Sequence, residues 1–118
     1  MIRAIRGAVT AENTAESITT NTRLMLKKIL SANNLGIDEI ISVVFTCTKD
    51  LNAVYPAVAA REIGLTAASL MCMAEMDVPG SLPGCVRVQV LAETDLAQNE
   101  ITHAYLKGAR ILRPDLAD

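Results

Sequence analysis

The chain has 118 residues, 51% of them apolar and 20% charged, a mix that suits one globular domain, residues 1–118, around one core. Its net charge is −2, without a run of Lys or Arg, and its only aromatics are Phe45, Tyr55 and Tyr105. Such a chain has neither the concentrated basic surface nor the stacking platforms of a nucleic-acid binder, which leaves a compact protein for something small.

Taken in order, Ile2 to Val9 is β-compatible, with Ala4, Arg6 and Ala8 on one face and Arg3, Ile5 and Val9 on the other. An arginine between two alanines sits over a hollow, although from this segment alone a solvated strand arginine is the better reading. Asn13 or Thr14 can cap a helix running to about Asn33, with Glu16 near its N-terminal dipole. Ile18, Thr22, Met25 and Ile29 recur at helical spacing, Leu26 and Leu30 widen that stripe, and Asn33-Asn34-Leu35-Gly36 supplies a stop.

Ile40 to Thr48 is β-branched and nearly continuous, the pattern of a strand buried on both faces. A turn at Lys49–Asn52 precedes a short helix from about Pro56 through Glu62, ended by Gly64. Ala68 to Met73 reads as a second buried strand. From Ala74 to Gly84 two prolines and two glycines predict an ordered loop. Val86, Val88 and Val90 then alternate with Cys85, Arg87, Gln89 and Leu91, the clearest period-2 strand in the chain, which sets Arg87 opposite the valine face. His103–Leu106 and Ala109–Leu112 read as a last strand region, followed by a terminal turn at Arg113–Leu116. The order β-α-β-α-β-β-β predicts an α+β fold with a mixed sheet and helices packed on one face.

Cys47, Cys72 and Cys85 stand far apart, with no C-x-x-C pair and one histidine, His103. An odd count of this kind reads as reduced thiols in the cytoplasm, and the spacing offers no structural zinc set. No apolar stretch approaches the roughly 20 residues of a membrane span, and Met1–Gly7 lacks the features of a signal peptide. Serine-hydrolase, P-loop, dinucleotide and zinc-protease motifs are absent as well. Cys72 can be drawn as a nucleophile, but a cysteine inside an apolar strand is also an ordinary core residue. What stands out is Arg6, Arg61 and Arg87, joined by Glu75 and Tyr105. Arginine suits planar, bidentate recognition of carboxylate or phosphate, which suggests a pocket for a small anion; structural ion pairs or solvation explain the same residues.

Longer blocks carry a resemblance. Ile2-Arg3-Ala4-Ile5-Arg6-Gly7-Ala8 resembles the opening of the small monofunctional chorismate mutases of the trimeric bacterial class. The likeness continues through Asp50–Ala57 with Ala60-Arg61-Glu62, Cys72–Val78, Cys85–Val88, Tyr105-Leu106 and Leu112–Leu116, in order and across almost the whole chain. It implies a homotrimeric pseudo-α/β-barrel with active sites at the subunit clefts. It also implies the Claisen rearrangement of chorismate to prephenate, on the route to phenylalanine and tyrosine. That reaction transfers no proton and uses no nucleophile or cofactor, in keeping with the missing motifs.

By the same resemblance, Arg87 would stabilise charge growing on the ether oxygen and Arg6 would hold a substrate carboxylate. Glu75 and Cys72 would face the ring hydroxyl, and Tyr105 would orient a carboxylate. Tyr55 and Ala57 would wall the ring, Arg61 would sit at the mouth, and Leu112 would help close the pocket. Tyr55, Val58 and Met71 depart from the familiar pattern, which bears on affinity more than on activity. An imine deaminase of the Rid type, which would release ammonia, and a trimeric binding module without turnover are the two other readings.

Overall fold

In the computed structural model, which describes residues 1–117, the chain starts with strand β1 (Ile2–Thr10) and helix α1 (Ala15–Ala32). Strand β2 (Ile40–Cys47), helix α2 (Ala57–Glu62) and strand β3 (Ser69–Ala74) follow. Strand β4 (Cys85–Glu93) and the short strand β5 (Ala104–Leu106) complete one five-stranded sheet in the order β3-β2-β4-β1-β5. The pairs β1–β4 and β4–β2 are antiparallel, whereas both outer pairs, β2–β3 and β1–β5, are parallel. The predicted mixed sheet is therefore what forms.

Helix α1 begins where its chemistry allows. Thr14 is extended, and its hydroxyl accepts from the Ser17 amide at 3.0 Å, satisfying one of the orphan N–H groups of the first turn. It ends with Asn34 at φ +52, and the Leu35 amide returns to the Leu30 carbonyl at 2.9 Å. That is the reversed-backbone stop that asparagine tolerates better than a branched residue does. Helix α2 stops the same way through Gly64 at φ +100, with Leu65 bonded back to Ala60. The stripe Ile18, Thr22, Met25, Leu26 and Ile29 is buried. It packs against Ile5, Val9, Val43, Phe45, Val86, Val88 and Val90 on one face of the sheet.

Three readings of the sequence need correction. The first concerns β2, which is buried on one face only. Val43 and Phe45 are fully covered, while Ser42, Val44 and Thr46 on the other face are partly open. A single layer of helices covers one side of the sheet, so a continuous apolar run is not matched here by two-sided burial. The second concerns β3, an edge strand with Met71 and Met73 more than half exposed. The third concerns residues 109–112, which form a 3-10 helix over Lys107–Leu112 instead of a strand. Lys107 turns the chain at φ +54, and the Gly108 amide bonds the Thr10 hydroxyl at 3.0 Å. Ala109 and Leu112 then fold down beside Ala8, Cys85 and Tyr105 as a second small cluster.

Candidate active site on the open sheet face

The strand registers place the polar side chains in rows across the uncovered face. One row runs Met73, Thr46, Arg87, Ala8, Tyr105, from β3 to β5. The next runs Met71, Val44, Gln89, Arg6. Period-2 alternation thus brings Arg6 and Arg87 to the same face, while Ala8 on that face is buried in the small cluster with Tyr105 and Ala109. Glu75 follows β3 directly, its amide bonded to the Cys47 carbonyl, and its side chain reaches back over this face. Arg6, Glu75, Arg87 and Tyr105 line a shallow cleft of about 270 Å³ together with Gly7, Val44, Thr46, Val88 and Gln89.

Within the cleft, the Thr46 hydroxyl donates to Glu75 Oε1 at 2.6 Å. The same carboxylate oxygen lies 3.6 Å from Arg87 Nε, too long for a committed hydrogen bond. Arg87 is 48% exposed, so its guanidinium is loosely paired and free to take an anion. Among the described residues the Arg6 guanidinium has no ion pair. Cys85, two residues from Arg87, is buried; desolvation pushes its thiol pKa up, and the Arg87 charge and hydrogen bond oppose that.

The other expected site residues lie elsewhere in the chain. Tyr55 and Cys72 line a separate depression of about 700 Å³ with Cys47, Asn52, Ala53 and Met73. Tyr55 is 72% exposed at its rim. Cys72 shares its sheet face with Phe45, the helix side, so it is on the opposite face from Glu75. Cys47 beside it has its thiol pushed up to about 11, first by burial and then by neighbouring thiols and carboxylates. At that value it is inert near neutrality. Ala57, the first residue of α2, is buried in the core, and Arg61 is exposed on the same helix. Leu112 packs beneath Tyr105 at the cleft's far end.

Comparison with known proteins decides what this arrangement belongs to. The family profile of chorismate mutase type I matches residues 2–116. The chain belongs to the type I chorismate mutase family. It is 47% identical over 118 residues to chorismate mutase AroH of Thermus thermophilus, covering 98% of this chain and 97% of that protein. It is 43% identical over 119 residues to chorismate mutase AroH of Bacillus subtilis (strain 168), covering 99% of this chain and 94% of the relative. A solved chorismate mutase from Clostridium thermocellum superimposes with a TM-score of 0.90 at 50% identity, over 92% of this chain and 97% of that one. The chain is thus an AroH-type isomerase, a chorismate mutase of aromatic amino acid biosynthesis. The deaminase and binding-module readings give way to it. Among the described residues no helix is long and apolar enough to cross a membrane, and no group of three or more His, Cys, Asp or Glu is placed to hold a metal ion.

Two residues that matter to the cleft's geometry were not singled out from sequence. Thr46 holds Glu75, and its signal was only a hydroxyl directly after the apolar Val43-Val44-Phe45. His103 accepts the Arg6 amide at Nδ1, and its signal was only that it is the one histidine.

Proposed function

We propose that chorismate rearranges to prephenate over the open face of the sheet, with Arg87 as the group that stabilises the transition state. One observation carries the reading: Arg6, Glu75, Arg87 and Tyr105 share one cleft, and neither arginine is committed to a short ion pair. The reaction breaks one C–O bond and makes one C–C bond within a single molecule. Its barrier falls when a flexible dicarboxylate is held in its reactive shape and charge separation is stabilised. Negative charge grows on the ether oxygen and positive charge on the ring. The half-exposed Arg87 can donate to that oxygen, and Glu75, fixed by Thr46 with its Oε1 3.6 Å from Arg87 Nε, can face the ring and its hydroxyl. Arg6 and Tyr105 then take the substrate carboxylates.

The cleft is one-sided, whereas Tyr55 and Cys72 border a different depression. In a homotrimer, the depression of one subunit can close the cleft of its neighbour, so that Tyr55 and Arg61 complete the wall and mouth. The apolar face bearing Met71 and Met73 supports such packing. Three free thiols suit the reducing cytoplasm. The test is Arg87→Ala, which should lower kcat about 10²–10³-fold without altering the fold, the range for one preorganised donor. Arg87→Lys should also be poor, because a point charge does not copy the planar fork. Near wild-type turnover in Arg87→Ala would remove the assignment.

A further inference from the structure

β4 pairs with β1 along its whole length, but the other edge of β1 is only partly covered. Backbone pairing with β5 covers only Gly7–Val9, so the preceding edge of β1 needs other partners. Side chains from the segment between β4 and β5 supply them. Gln98 bonds Ala4 in both directions, accepting its N–H at 3.1 Å and donating to its carbonyl at 2.7 Å. One step further along, His103 Nδ1 accepts the Arg6 N–H at 2.9 Å. Arg6 is the residue whose guanidinium lines the cleft, and its main chain hangs on an acceptor that protonation abolishes. An accepting Nδ1 means that the neutral ring carries its proton on Nε2.

The charges around His103 oppose protonation. Arg6 faces it from β1 and Arg113 from the terminal turn. Asp115 is the nearby anion, and Arg113 takes both of its oxygens, at 3.1 and 2.8 Å. Tyr105 lies two residues along β5, next to Arg113, and Glu100 of the preceding 3-10 turn accepts the Ala97 amide at 2.8 Å. Burial first, then Arg6 and Arg113, holds the His103 pKa below its ordinary 6.5.

We propose that His103 is a positioning residue for the reaction: neutral, it holds the Arg6 amide and so the guanidinium's place in the cleft; protonated, it lets go. The inference rests on Arg6 holding a substrate carboxylate. A charged imidazole turns an N–H toward the Arg6 N–H, two donors facing each other, and adds a third cation beside Arg6 and Arg113. Because the histidine is harder to protonate here, the hold is complete at neutral pH and above. It is lost as pH falls from 6.5 through the lowered value. The rearrangement itself moves no proton, so an acid limb of this origin reports on binding geometry and not on the chemical step.

The experiment compares kcat and KM against pH for the wild type, His103→Leu, His103→Asn and Arg6→Ala. His103→Leu should raise KM about 3–10-fold at neutral pH and above, the effect of one lost hydrogen bond, with kcat within about twofold and the gap to the wild type closing as pH falls through the histidine's lowered pKa. His103→Asn presents an amide oxygen near the position of Nδ1 and does not titrate. It should restore most of the lost affinity and remove the part of the acid limb due to histidine. In the ligand-free protein, the Arg6 amide and His103 15Nδ1 resonances should titrate with one shared midpoint below 6.5. Coincident acid limbs in wild type and His103→Asn, or separate midpoints, would overturn the inference while Arg6→Ala still raises KM. An unchanged KM in Arg6→Ala would instead overturn the reading of Arg6, and this inference with it.

Discussion

Thr46→Val removes one hydroxyl from the cleft and almost nothing else. Valine has the same shape and favours a strand, and Thr46 sits on β2 between Met73 and Arg87, so the sheet should not notice the change. What disappears is the 2.6 Å hydrogen bond to Glu75 Oε1. Bonds to charged acceptors are worth about 1.5–3 kcal/mol. The Glu75 side chain is still 23% exposed, which favours the lower end, about 1.5 kcal/mol and so about tenfold in rate. Freed from Thr46, the carboxylate can close its 3.6 Å gap to Arg87 and occupy the guanidinium that the proposed mechanism assigns to the substrate. The assay is kcat/KM from the ultraviolet loss of chorismate, with thermal unfolding as a control for fold. Thr46→Val should cost about tenfold in the wild type and less than about twofold in Glu75→Ala, because Thr46 acts through Glu75. Equal losses in both backgrounds would refute that dependence.

Two further outcomes follow from the same structure. Gly84 sits at φ +59 just before β4, and a Cβ there would lie 2.9 Å from the Ala11 carbonyl oxygen. Gly80 has φ +84 with nothing within 4 Å. Gly84→Ala should therefore lower Tm by several degrees more than Gly80→Ala, at about 4–8 °C per kcal/mol for a small domain, and equal shifts by circular dichroism would contradict the contact. In sedimentation at micromolar concentration the protein should run at three times its 12.6 kDa chain mass; a folded monomer would remove the shared cleft.

Much of the fold was legible because its signals are local. The α1 stripe has a 3.6-residue period and a Thr14 cap, and Cys85–Leu91 alternates with period 2. The misreadings fall where periodicity is silent. An apolar run such as Ile40–Phe45 does not tell one covered face from two. Here the uncovered face carries Val44, Met71 and Met73, the face that the proposed trimer would cover. Ala109–Leu112 is too short a run to show that its spacing is helical. In the cleft, Arg6 and Arg87 were legible as strand arginines. Thr46 and His103 act on partners 29 and 97 positions away, so only the strand registers bring them into view. Ala57 and Cys72 show the converse: on this chain they lie in the core and on the helix side of the sheet, away from Arg87.

The reaction itself is the measurement to make. Purified protein is mixed with chorismate in the presence of EDTA, chorismate is followed in the ultraviolet, and prephenate is identified as the product. Conversion to one equivalent of prephenate, unchanged by EDTA, is the predicted result. A folded trimer that leaves chorismate untouched would contradict it.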